Sequence, residues 1–216
     1  MNLDQAIEEI KLLSDPRAVK VWARCGMDAS NFLGANLTKL KALSKKIKKN
    51  HELALDLWET GIHDAKLLAT MIEDPKKTTE TQVDKWVEEL EFWDLADKSS
   101  RNVFAKTSFA KKKMDKWIDS DNRLIRRAGF MILYEFAATK MKFEYDKYLP
   151  LVEQGLYNEH DMVRESANYV LIVCGLKVPG MKEQCLAIAK KAGKIIVDYG
   201  QSSCKVPDAV AMLSKV

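Results

Sequence analysis

Trp93-Asp94-Leu95-Ala96-Asp97 sets an aromatic ring and a carboxylate four residues apart, which on a helix is one turn along a single face. Some thirty residues later, Ile125-Arg126-Arg127-Ala128-Gly129 puts two guanidiniums at the start of an otherwise apolar helix. A flat ring, an acid and a fixed arginine together can hold a backbone phosphate and stabilise a sugar that is losing its base. Asp97 is the candidate acid, with Asp94 as the reserve should Asp97 turn inward. Each residue also has a structural use. Trp93 can be an inter-repeat core residue like Trp22, Trp58, Trp86 and Trp117, and Asp97 can cap a helix or pair with Arg101 one turn on. His63 begins a helix, where a structural histidine is the expectation.

The elements that must position these residues are helical. Apolar residues recur at helical spacing almost throughout, and the pattern predicts helices near 2–13, 16–25, 37–48, 51–61, 63–73, 79–91, 93–105, 108–118, 122–138, 145–156, 160–173, 180–191 and 207–214. Asp15-Pro16 opens one with a capping acid and a proline at its first position. Asp74-Pro75 closes another, and Thr79 precedes the next. Only Lys194 to Tyr199 reads as extended, and one such segment makes no sheet.

The helices also repeat. A shift of 38 residues lays Leu124-Ile125-Arg126 on Met162-Val163-Arg164, Gly129 on Ala167, and Ile132-Leu133 on Val170-Leu171. The small residue lets a neighbouring helix approach closely, while the apolar pair fills the core. A period near 40 is the mark of HEAT-like helical pairs, which bury their apolar faces only by stacking. The expected fold is all-α: one right-handed α-solenoid, or superhelix, spanning 1–216 as a single domain. In that repeat Arg126 aligns with Arg164 as a structural arginine, leaving Arg127 to face elsewhere. Tyr169 aligns with the apolar Met131, so core packing competes with any role in a site.

Composition narrows the function classes. Sparse glycine (9) and proline (5), with 47% hydrophobic and 31% charged residues, describe an ordered helical chain. No apolar run approaches the ~20 residues that span a bilayer, and the start lacks a signal-peptide pattern. No membrane association is expected, and the cytoplasm is the expected compartment. Four scattered cysteines and three histidines lack metal-ligand spacing, so no metal is expected and the cysteines read as buried free thiols. The net charge is +4 but uneven. Lys39, Lys41, Lys45, Lys46, Lys48 and Lys49 crowd eleven residues without an acid. Nine cations face three acids between Arg101 and Arg127. Either these are solvated helix faces or they meet a polyanion, whose counterions each bound cation would release. Lys111, Lys112, Arg123 and Arg126 are the candidate backbone contacts.

These residues resemble the HEAT-like-repeat DNA alkylation repair glycosylases, the AlkD-like family. The likeness runs from about Gly34-Ala35-Asn36-Leu37 to Lys205-Val206-Pro207. It includes His63-Asp64-Ala65-Lys66, the Trp93 to Asp97 segment, the Arg126-Arg127-Ala128-Gly129 helix, and the closing Asp198-Tyr199-Gly200-Gln201-Ser202-Ser203-Cys204. The resemblance implies DNA glycosylase activity, a hydrolysis releasing positively charged alkylated purines of the 3-methyladenine and 7-methylguanine type from duplex DNA. It implies Asp97 as the carboxylate facing the oxocarbenium-like sugar. Trp93 and Tyr169 would cradle the cationic nucleotide, and Arg127 would clamp a phosphate. No cofactor is implied, and the chain is expected to act as a monomer in DNA repair. Two features depart from the family pattern: Tyr169 stands where tryptophan is usual, and Leu171-Ile172-Val173 is wholly apolar where a basic residue is expected.

Three readings follow, of which the first is the expectation and the second its alternative. The first is an alkylpurine DNA glycosylase. The second is a catalytically weak or inactive nucleic-acid-binding relative, which Tyr169 favours. The third is a protein-interaction scaffold, a common use of solenoids, which predicts an apolar or acidic groove and no DNA affinity.

Overall fold

The computed structural model describes residues 1–200 and 204–215. Of the closing stretch singled out in the sequence, Gln201, Ser202 and Ser203 lie outside the described residues. The described chain is helical: α1 (Leu3–Leu12), α2 (Pro16–Arg24), α3 (Leu37–Ile47), α4 (His51–Glu59), α5 (His63–Ile72), α6 (Glu80–Glu88), α7 (Trp93–Asn102), α8 (Ala110–Trp117), α9 (Arg123–Ala138), α10 (Leu149–Leu156), α11 (Asp161–Lys177), α12 (Lys182–Ala192) and α13 (Ala209–Ser214). The breaks carry the expected chemistry. Asp15 caps α2 with Pro16 at its first turn, and Thr79 caps α6. The Asn122 side chain accepts from the N–H groups of Leu124 and Ile125 and so starts α9. Among the described residues there is no strand, and 194–199 runs as irregular chain without a ladder partner. None of these helices is long and apolar enough to cross a membrane.

The helices stack in two layers as an α-solenoid. In one layer α3, α5, α7, α9 and α11 each pack on the next, and α13 follows on α11. The other layer holds α4, α8, α10 and α12, each set against its partner: α4 on α5, α8 on α9, α10 and α12 on α11. One continuous apolar core runs between the layers from Ala6 to Leu213. Trp58, Trp86 and Trp117 lie fully inside it, and Trp58 stacks on Trp86 at 4.1 Å.

The repeat geometry accounts for the small residues. A Cβ at Gly129 would lie 2.4 Å from the Ile118 backbone nitrogen, so α9 rests directly on the end of α8. Gly155 on α10 likewise leaves room for Phe130 and for Ala167, the repeat equivalent of Gly129.

Trp22 does not join this core. It is half-buried in a separate cluster with Met27, Phe32, Phe92 and Trp93, which corrects its expected place among the inter-repeat tryptophans. The loop carrying Phe32 is held from below. Buried Asp64 accepts from the N–H groups of Leu33 and Ala35, both at 2.7 Å. Of the four cysteines, Cys174 and Cys185 are buried and burial pushes both thiols up to about 12, while Cys25 is half-buried and Cys204 is exposed.

Candidate functional site

Asp97, Arg127 and Trp93 meet where α7 and α9 pack. Arg127 Nε donates to Asp97 Oδ1 at 2.7 Å and Nη2 donates to Oδ2 at 2.9 Å, a bidentate fork. Its Nη1 donates to Glu165 Oε2 and to the Met162 carbonyl, each at 2.8 Å. The Trp93 ring lies 5.4 Å from the guanidinium carbon, within cation–π range. Tyr169 joins through its hydroxyl, which donates to Glu165 Oε1 at 2.9 Å, and the Tyr199 hydroxyl reaches the same oxygen.

Without DNA, Arg127 is engaged by acids. The side chain is fully buried, and four of its N–H bonds are spent on two carboxylates and a carbonyl, out of about five that an arginine carries. Burial works against its charge, and Asp97 and then Glu165 more than offset that, so the guanidinium is held charged. Burial pushes the Asp97 carboxyl up and Arg127 pulls it back. Asp97 keeps 17% side-chain exposure beside Trp93, so the acid is covered but not sealed. It does not pair with Arg101, whose Nε donates instead to Glu135 at 2.7 Å.

Tyr169 enters by its hydroxyl rather than as an aromatic wall. Burial, followed by the neighbouring Glu165 charge, drives its phenol pKa upward, and the hydroxyl stays a donor. Asp94 is engaged by His63, whose Nε2 lies 3.1 Å from Oδ1 and 3.2 Å from Oδ2. His63 is buried, as a structural histidine should be.

Two site residues escaped the sequence reading. Glu165 completes the network, and its signal was present: the shift of 38 that lays Arg126 on Arg164 also lays Arg127 on Glu165. Equivalent positions on successive inner helices lie side by side on the same face. Lys98 is the second, one residue past Asp97 on α7.

The four expected backbone contacts do not gather at this site. Lys111 and Lys112 ride on α8 in the other layer, where they pair with Asp115 and Glu80, each at 2.6 Å. Arg126 lies about 100° round α9 from Arg127, pairs with Asp119 at 2.8 Å and lies against Phe130, Leu151 and Gln154. Arg123 is exposed at the start of α9. Adjacent residues on a helix cannot share a face, and a run of charge does not reveal which face it occupies.

A different set of cations forms a groove. Lys41 and Lys45 from α3, with Lys98 and Arg101 from α7, face one another across Met71 of α5 and enclose about 480 Å³. The remaining lining is Thr38, Ala42, Ser44 and Asn102, with no carboxylate among it. Burial lowers the Lys98 pKa first, and the Arg101 and Lys41 charges lower it further against the pull of Asp97 and Asp94. A lysine whose charged form is disfavoured by burial and then by cationic neighbours is stabilised by an anion bound beside it.

Known proteins resemble this chain along its whole length. An uncharacterised protein of Listeria innocua, Lin0241, is 30% identical over 219 aligned residues, covering 100% of this chain and 97% of its own length. An uncharacterised Listeria monocytogenes protein, Lmo0209, is 29% identical over the same span. A solved structure superposes with a TM-score of 0.87 at 25% identity, covering 100% of this chain and 93% of its own. That structure is described as a new family of proteins related to the HEAT-like repeat DNA glycosylases with affinity for branched DNA structures. The model of the DNA alkylation repair enzyme family matches residues 6–195. With nearly its whole length matched, this chain belongs to the DNA alkylation repair enzyme family.

Proposed function

We propose that this protein binds DNA, with the phosphate backbone lying in the groove of Lys41, Lys45, Lys98 and Arg101. The observation that carries the reading is the lining itself: four cations from two helices and no carboxylate among the lining residues, although Arg101 also pairs with Glu135 behind it. Phosphates held there displace condensed counterions, so affinity falls steeply with salt. The scaffold reading expected an apolar or acidic groove and is disfavoured. The affinity of the structural relative for branched DNA supports a DNA ligand and makes branched duplexes a rational choice of probe.

Base excision is the second reading, favoured by one observation: Asp97 retains some exposure next to Trp93. An alkylated purine carries positive charge and leaves readily, so the enzyme's task would be to stabilise the oxocarbenium-like sugar with a carboxylate. Here both Asp97 oxygens accept from Arg127. Each oxygen keeps a second lone pair beside the fork, so the exposed edge of Asp97 can face the sugar while Arg127 fixes its orientation. Binding at the cationic groove is the first reading because the lining carries it directly.

The test is fluorescence anisotropy of labelled duplex titrated at several salt concentrations, alongside release of free base from methylated duplex. Replacing Lys41 or Lys98 by alanine is expected to reduce the slope of log affinity against log salt by about 0.9 for each phosphate left without its cation. Substituting Lys111 should leave it unchanged. Salt-independent or absent binding sinks the DNA reading. Base release by the wild type that Asp97→Asn abolishes would promote the second reading over the first.

A further inference from the structure

We infer that the cleft walled by Trp22, Phe32 and Trp93 receives one unpaired nucleobase of a DNA strand whose phosphate is held at Lys98. The inference rests on the proposed DNA binding and adds a site to it. The cleft encloses about 300 Å³, at the small end of ligand pockets. Leu67, Gly34 and Ala35 lie against it, with Asp94 and Lys98 among its polar groups. Lys98 lines both this cleft and the cationic groove. A phosphate on its ammonium therefore leaves the attached base one sugar away from the aromatic walls.

Several observations point to a base rather than to ordinary packing. Trp22 meets Phe32 at 6.5 Å and 85°, Phe92 at 5.9 Å and 84°, and Trp93 at 5.8 Å and 45°. None of these pairs is stacked face to face, unlike Trp58 and Trp86 in the core at 5°. Trp22 and Trp93 are both only half-buried, so part of each ring remains for a further flat ring. The cluster is separate from the main core, and α2, which carries Trp22, buries no residue completely. An aromatic set that contributes so little to the core stands beside a cationic channel, the combination by which proteins hold single-stranded nucleic acid. Asp94 lines the cleft and keeps 17% side-chain exposure, so its carboxylate supplies an acceptor for base N–H groups.

The experiment compares three DNAs of equal length on the full chain: a blunt duplex, the duplex with one bulged base, and the duplex with an abasic residue at the bulge. The bulged base is expected to bind about ten-fold more tightly than the blunt duplex, and the abasic bulge to lose most of that gain. Trp22→Ala should erase the difference while leaving blunt-duplex affinity within about two-fold, and Trp22→Phe should retain part of it. Because blunt binding reports the intact groove, it also reports folding. Equal binding of base and abasic bulges overturns the inference, as does a Trp22→Ala variant that weakens all three DNAs alike. A wild type that binds no blunt duplex overturns the groove reading, and the inference falls with it.

Discussion

Arg127 is the residue on which the site turns, and its partners change what a substitution should do. Removing it leaves Asp97 and Glu165 buried without their shared counter-charge. Losing one partner of a buried ionic network costs about 3–5 kcal/mol. Arg127→Met is thus expected to lower stability by that amount in urea unfolding, and adding Glu165→Gln should return part of the loss. A phosphate clamp would behave otherwise, with unchanged stability and weaker DNA binding. Lys98 carries a second expectation, in pH. Its pKa is lowered in the free protein, and a bound phosphate favours the protonated form. Affinity should fall as pH rises through the lowered value, before an ordinary lysine near 10.5 would titrate. In Lys98→Arg the charge persists, and the affinity profile measured by anisotropy should stay flat over that range.

At the scale of the element, close approach between helices sets the cost of change. Gly129→Ala puts a methyl group 2.4 Å from the Ile118 nitrogen, which neither backbone can avoid without moving. Overpacking of this kind costs about 1–3 kcal/mol, and the shift in thermal midpoint measures it. Gly129 and its repeat mate Ala167 were legible in the sequence because helical spacing and the period of 38 are local signals. Helical spacing put Trp93 and Asp97 on one face, the family resemblance joined Arg127 to them, and the shift of 38 from Arg127 reaches Glu165. The cationic face was not legible. Lys111 and Lys41 both sit in basic runs, and only the packing of α8 outside α9, and of α3 beside α5, separates them. Trp22 was not legible either. Its place depends on interactions distant in sequence: Asp64 holding the Leu33 to Ala35 loop, and the C-terminal chain arriving against α2.

For the whole molecule, that last junction departs from the nearest-neighbour logic of a solenoid, in which each repeat touches only the next. Gly200 lies at φ +62, and a Cβ there would come within 2.4 Å of the Arg24 carbonyl. Asp198 N–H donates to Asp161 at 2.7 Å, and the Tyr199 hydroxyl reaches Glu165. Val21, Trp22 and Cys25 of the N-terminal region share an apolar cavity of about 130 Å³ with Trp93, Met162 and Tyr199. The two ends of the chain thus meet over the Arg127 network, and damage at one end should be felt at the other. Gly200→Ala introduces both an unfavourable backbone angle and a clash, a strain of about 1–3 kcal/mol. Hydrogen exchange by mass spectrometry is expected to quicken across residues 16–24, which are remote in sequence, while α5 and α9 keep their protection. Local opening of this kind leaves the core repeats intact because α2 buries nothing completely among them. If exchange in α2 stays at its wild-type rate, the ends do not support one another, and the cover over Trp93 is held by α2 alone.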